Sequence, residues 1–529
     1  MRAPGGVGGV GFRDHALAVD PGLDDGNPVS RIVLASPEVD GAANEVTFRW
    51  SVEPPHPLYR RTSFHLRFPE QVAVDAVPDR LWLTVLLLCL HSQWAFMRPC
   101  RIELPLALAP GEREAWLRLV DAAVVTVDVT RATRLGQSVH PTRAVEIVEP
   151  EPEGGSSKPT PVVDTGRSVA AFSGGKDSLT QLALLHELGA SPIAVATTAP
   201  MPPHHDHETE RRRAVFAAVP ERRPIDVVEV HSDLRTAWDN DVPGRDGWWT
   251  SVSELADTYL YLASCVVVAW SIGAARIFLA GEHEVQANVE RDGLVVQHPH
   301  FMYSAVSLGA ASALLEPWGL RCCSLTAPLH SGQVQHLLWT RYADLADLQY
   351  SCWRVRPDQA TCSACSQCLR IALAAMAAGG SPTAMGIDLA KLLPAMRDWS
   401  PSEPSGDGLP DDEVKATLHG QVVANVAAVS TWDVARQLGR HPRRWLDPQV
   451  RAALSDYRAL RRRLLAGGPV PPAPGYERAY LDLVDGSVRD GMGRICDDAF
   501  SAADPAGSAA ALVRTKSLVA WITAPLGRP

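Results

Sequence analysis

Three groups of residues have types and spacings that could do chemistry. The first is Ser173-Gly174-Gly175-Lys176-Asp177-Ser178, which follows the apolar run 169–172 and opens a helical pattern closed by Gly189. Small residues after a strand let the backbone come close to a ligand. The helix behind them offers unpaired N–H groups and the positive end of its dipole. That combination binds phosphate. The glycines are adjacent and an aspartate follows the lysine. The loop is therefore neither Gly-x-x-x-x-Gly-Lys-Ser/Thr nor Gly-x-Gly-x-x-Gly. The bland alternative is a plain strand-to-helix turn with Ser178 as the helix cap.

The second group is Cys352, Cys362, Cys365 and Cys368, separated by nine, two and two residues. Four thiolates at short spacing fit tetrahedral Zn²⁺, and four ligands leave no open position, so the expected site is structural. An iron–sulfur cluster also takes four cysteines. The third group is a polar run, Glu282, His283, Glu284, Gln286, Asn288, Glu290 and Arg291, with His298 after it. It is either a solvated loop or a substrate site. In the second case Glu282 or Glu284 binds an amine or acts as a base, and His283 or His298 carries the proton.

Elements must position these groups. Short apolar runs at 169–172, 193–197, 226–230, 276–280 and 323–325 alternate with helical patterns, most clearly 178–188 and 253–272. Such alternation predicts an α/β domain over residues 166–380, a parallel five-stranded sheet with helices on both faces. Ligands of such sheets bind at the carboxyl ends of the strands, where the first loop and the polar run both fall. Ahead of it, alternating runs around Phe48 and Phe64 and helical blocks from Asp79 and Glu112 predict an α+β module over 43–148. Residues 149–165, rich in Glu, Pro, Gly and Ser, read as a linker. Residues 1–42 are Gly-, Pro- and Asp-rich and are expected to lack order. Residues 381–529 read as helical and carry no motif tied to chemistry.

The bulk properties narrow the function classes. With 529 residues, 46% hydrophobic and 21% charged, the chain has the composition of a soluble globular protein of several domains. A net charge of −10 is the opposite of a dedicated nucleic-acid binder's footprint. The run Arg211-Arg212-Arg213 reads first as a solvated helix face. No export signal opens the sequence, and the most apolar segment, 81–90, is far short of the roughly 20 residues that cross a bilayer. The expected location is the cytoplasm, with the ten cysteines as thiols or metal ligands.

Ser-Gly-Gly-x-Asp-Ser after an apolar strand resembles the signature of the PP-loop ATP pyrophosphatases. These enzymes split ATP between the α and β phosphates, pass AMP to a substrate oxygen and hold pyrophosphate in this loop. The resemblance implies that Gly174, Gly175 and Lys176 cradle pyrophosphate through N–H groups. It implies hydroxyl contacts from Ser173 and Ser178, Mg²⁺ on Asp177, and adenosine contacts from Thr197 and Thr198. Joined with the four cysteines, the loop is similar to that of the 7-cyano-7-deazaguanine synthase group, which adenylates a carboxylate and adds ammonia to give an amide and then a nitrile. The order of α+β module, Gly-Gly-Lys-Asp-Ser loop, Gly281-Glu282-His283-Glu284, His298 and cysteine run also resembles the ATP-dependent UDP-N-acetylmuramoyl-alanyl-glutamate epimerases. The stretch Trp248-Trp249-Thr250-Ser251-Val252 stands where those epimerases carry a distinctive Gly-His-Ile/Val-Pro-Val-Thr segment.

The leading expectation is an AMP-forming, Mg-ATP-dependent ligase that activates a small-molecule carboxylate for attack by ammonia or an amine. Epimerisation of an adenylated terminal glutamate is the alternative from the same chemistry. tRNA thiolation, as in other PP-loop proteins, and nucleotide sensing with the C-terminal helices docking a protein partner are the remaining ones.

Overall fold

The computed structural model describes residues 29–135, 144–151, 159–199, 205–240, 242, 252–286, 288–291, 294–297, 301–352, 359–399, 412–439, 447–466, 470, 474–503 and 505–527. Its strands are β1 (Ser30–Leu34), β2 (Glu38–Asp40), β3 (Glu45–Glu53), β4 (Ser63–Arg67), β5 (Cys100–Glu103), β6 (Val145–Val148), β7 (Ser168–Ala171), β8 (Pro192–Thr198), β9 (Asp226–Ser232), β10 (Arg276–Phe278), β11 (Asn288–Arg291), β12 (Leu294–Gln297) and β13 (Arg321–Cys323). The five expected strands pair in parallel in the order β13-β10-β7-β8-β9. Chain order reverses direction between β7 and β10, so the crevice beyond their carboxyl ends is the switch point of the sheet.

The sheet does not end there. β9 pairs antiparallel with β4, and the order continues β4-β3-β1-β5-β6, with β2 on β3. A mixed eleven-stranded sheet thus replaces the expected five-stranded parallel one. The physical reason is the edge of β9. Its N–H and C=O groups need a partner, and the α+β module supplies β4. Hydrophobic period reveals that a strand exists but not which edge covers it. Residues 30–34, expected to lack order, form β1, which lies between β3 and β5 with Ile32 and Leu34 buried. Five residues carry little signal alone, and the two neighbouring strands supply the pairing.

Side-chain alternation along the parallel strands divides the core. Val169, Val195, Val230 and Ile277 point to one face, against helices Val252–Ile272, Asp79–Leu90 and Ala305–Leu315. Ala170, Phe172, Ala194, Ala196 and Phe278 point to the other, against helices Lys176–Glu187, Ser331–Thr340 and Ser366–Ala377. Helix Val252–Ile272 contains a stretch, Leu255–Ile272, long and apolar enough to cross a membrane by composition, but 78% of that stretch is buried inside the fold. Its apolarity is explained by the sheet and helix it packs between. The helices at Asp412–Ala428, Thr431–Leu438 and Pro448–Leu465 match the expected C-terminal pattern.

His91, at the end of helix Asp79–Leu90, is fully buried among these apolar groups. Its Nδ1–H donates to the Leu87 carbonyl at 2.9 Å, and its ring packs edge-on to Tyr259. Burial pushes its pKa down to about 4. An unfolded histidine titrates near 6.5, so the unfolded chain takes the proton first. The stabilising contribution is therefore present above about pH 6.5 and is lost as pH falls toward about 4, a loss of up to roughly 3 kcal/mol. His91→Gln keeps an N–H donor and should flatten the urea-midpoint profile across that window. An unchanged slope would contradict the assignment.

Candidate active site

The loop after β7 owes its shape to two glycines. Gly174 has φ +79°, a left-handed conformation, and a Cβ there would also press on Val215 Cγ1 at 3.3 Å. Gly175 is the residue before helix Lys176–Glu187 and lies close to Ser173 Oγ, Ser351 Oγ and the Tyr350 carbonyl. The first intrahelical bond runs from Leu179 N–H to the Gly175 carbonyl at 3.0 Å. The N–H groups ahead of it are those a helix leaves without internal partners. Ser173 Oγ and Ser178 Oγ stand 3.3 Å apart at the loop's mouth.

This loop forms one wall of a cavity of about 540 Å³ at the switch point, a volume in the range that small-molecule sites occupy. Across it, the segment after β10 brings in Glu282. Lys176, nearly buried, reaches between the two walls. Its Nζ is 2.6 Å from Asp177 Oδ1 and also hydrogen-bonds Glu282. Burial works against the ammonium, yet the two flanking carboxylates hold its proton firmly, above the usual lysine range. Burial and then the Glu282 charge push the Asp177 carboxyl up to about 7. Burial pushes Glu282 upward too, but Lys176 outweighs it and keeps Glu282 ionised. The Lys176 ammonium lies between the two carboxylates and balances part of their charge, and carboxylate oxygens are donors of the kind a hard cation such as Mg²⁺ takes.

Thr197, near the end of β8, lines the same cavity. It is 4% exposed, and its Oγ1 has no hydrogen-bond partner among the described residues. A buried hydroxyl without a protein partner in a cavity wall is open to a hydrogen bond from whatever fills the cavity, water or ligand. Thr198, one residue on, faces the other way because strand side chains alternate. It donates to Glu229 at 2.7 Å and lines a separate hollow with Glu45, His65 and Arg67 of the α+β module.

The four cysteines come together beside the loop. All four Sγ atoms lie within 4.8 Å of one another, with Cys362–Cys368 at 3.7 Å and Cys365–Cys368 at 3.5 Å. Tetrahedral ligands about 2.3 Å from Zn²⁺ stand roughly 3.8 Å apart, so the set fits that ion without large movement. Hydrogen bonds from Cys352 and Cys368 hold the Cys365 thiol below its usual range, while the same contacts push the Cys368 thiol up. The cluster has a direct route to the cavity. Cys365 precedes helix Ser366–Ala377, whose Gln367 and Arg370 line the cavity. Cys352 follows Ser351, another lining residue, and Tyr350 N–H donates to the Gly174 carbonyl at 2.7 Å.

The remaining expected site residues separate. His283 and Glu284 turn away from the cavity toward helix Ser331–Thr340: His283 Nδ1 lies 3.3 Å from the Ala327 carbonyl, and Glu284 accepts from Ser331 N–H at 3.1 Å. His298 lies outside the described residues. Sequence reasoning missed Arg212, Tyr261, Tyr303, Ser351, Gln367 and Arg370 of the cavity lining. The Gln367–Arg370 pair carried a signal, since residues three apart share a helix face beside the cysteine run. Arg212 was hidden inside an arginine run that reads as solvated. Comparison of the chain with models of known protein families, with curated proteins and with solved structures finds no match.

Proposed function

We propose that the protein is an AMP-forming, Mg-ATP-dependent enzyme that adenylates a carboxylate for attack by ammonia or an amine. The observation that carries this is the convergence, on one cavity at the switch point, of the Gly174–Gly175 loop, the Lys176–Asp177–Glu282 cluster and the unpartnered Thr197 hydroxyl.

The loop N–H groups and the Ser173 and Ser178 hydroxyls would hold the β and γ phosphates. Asp177 and Glu282 would hold Mg²⁺, which neutralises phosphate charge when bound. Thr197 would hydrogen-bond the adenosine part. Arg212 and Arg370 face the cavity as guanidinium groups, whose fork of donors suits a carboxylate or phosphate. A carboxylate oxygen attacks the α phosphorus, the bond to the bridging oxygen breaks, and pyrophosphate leaves. The amine then attacks the acyl carbon and AMP departs, a far better leaving group than oxide.

The direct test is exchange of labelled pyrophosphate into ATP in the presence of small-carboxylate fractions. Exchange that depends on one fraction supports a reversible acyl-adenylate. Bound ATP without exchange in any fraction would favour nucleotide sensing. Exchange together with inversion at an α-carbon, with no amine consumed, would favour the epimerase alternative.

Thr197→Val separates binding from folding. It removes an unsatisfied buried hydroxyl, so the fold should be unharmed. Loss of one hydrogen bond to the nucleotide, about 0.5–1.5 kcal/mol, should weaken a non-hydrolysable ATP analogue by a few-fold to about tenfold in calorimetry.

A further inference from the structure

A second constellation lies behind the cavity wall. The 3₁₀ turn His283–Gln286 follows Glu282 directly, so Glu282 faces the cavity while His283 faces away. There His283 meets His330, the residue before helix Ser331–Thr340, and Glu477 from the C-terminal region. Their ligand atoms all lie within 4.8 Å of one another. His283 Nε2 is 3.8 Å and His330 Nε2 is 3.5 Å from Glu477 Oε1.

Both imidazoles are held from behind. His283 Nδ1 faces the Ala327 carbonyl at 3.3 Å and His330 Nδ1 faces Glu284 at 3.1 Å. Those oxygens only accept, so the Nδ1 atoms carry protons and the Nε2 atoms turn to the centre. Glu284 is fixed in turn by two Ser331 N–H contacts at 3.1 Å and by Gln421. A histidine whose far nitrogen is tied to a carboxylate or carbonyl is the usual arrangement around a bound metal. His330 is 8% exposed, and its Nε2 faces the Glu477 carboxylate at 3.5 Å.

We propose that His283, His330 and Glu477 form a binding site for a divalent transition-metal ion of the Zn²⁺ class, separate from the four-cysteine cluster. Two imidazole nitrogens and one carboxylate oxygen match that ion's preferences, and ligands about 2.1 Å from it stand roughly 3.4 Å apart, close to the spacing to Glu477. The ion would fasten the C-terminal region to the segment that carries Glu282, which gives residues beyond 400 a role in holding the cavity wall.

Cobalt substitution tests this in the full chain. Protein with its cysteine site filled is titrated with Co²⁺. One further equivalent should bind, with weak visible bands and no thiolate charge-transfer absorption. His330→Gln and Glu477→Gln should each weaken that equivalent at least a hundredfold while retaining the cysteine-bound metal. Failure of the parent protein to take the extra equivalent would overturn the site and leave His330 as the cation of an ion pair with Glu284 and Glu477. Unchanged uptake in both variants would overturn it too. The titration of the parent decides even if a variant misfolds.

Discussion

Asp177→Asn is expected to lower AMP formation by roughly a hundredfold to a thousandfold, the cost seen when one preorganised electrostatic contact to a transition state is removed. The change keeps shape and deletes charge. Asp177 contributes one of the two carboxylates that flank the Lys176 ammonium, and the other, Glu282, comes from across the switch point. With one carboxylate gone, Lys176 remains paired with Glu282 and the pull on a divalent cation falls sharply. The fold should not suffer. Burial and the Glu282 charge already disfavour the ionised Asp177 carboxylate, so a neutral amide is tolerated there. Measured together, the rate of AMP release and the urea midpoint separate the two effects. A variant that keeps parental turnover would remove Asp177 from the chemistry, and with it the reading of the loop.

Cys368→Ser is expected to release the cysteine-bound metal and to abolish nucleotide binding at the same time. Cys368 Sγ lies 3.7 Å from Cys362 Sγ and 3.5 Å from Cys365 Sγ, and serine offers no thiolate. Metal binding at a structural site is folding free energy, on the order of 10 kcal/mol in small zinc domains. Even a fraction of that, several kcal/mol, should lower the melting temperature by roughly ten degrees or more. The effect reaches the cavity because the cluster fixes the start of helix Ser366–Ala377, with Gln367 and Arg370, and also the Tyr350–Ser351 segment that binds Gly174. Metal analysis, a melting curve and nucleotide titration on one preparation check it. Intact nucleotide binding in a metal-free variant would show that the cluster and cavity are independent.

Much of the parallel-sheet half was legible because its signals are local. A strand followed by Gly174-Gly175 needs no distant partner to define its turn, and four cysteines within a short stretch declare a common neighbour. The helices 178–188 and 253–272 were visible in their period and fall within a few residues of Lys176–Glu187 and Val252–Ile272. What was not legible depends on tertiary pairing. Nothing in residues 63–67 says that β4 will cover β9, and β1 is too short to stand out. The polar run after β10 was visible as a run, but not its division. Only the turn at His283–Gln286 decides that Glu282 enters the cavity while His283 and Glu284 go to helix Ser331–Thr340. Thr197 and Thr198 divide for the same reason, strand alternation seen against a cavity that no sequence pattern displays.

Product analysis tests most directly whether ATP is cleaved between its α and β phosphates at the loop of residues 173–178. The protein is incubated with Mg-ATP labelled at the α phosphate, with and without a small-metabolite extract, beside Asp177→Asn. The expected result is labelled AMP, with pyrophosphate, that appears only with extract and is suppressed in the variant. Labelled ADP as the product would contradict cleavage at that bond.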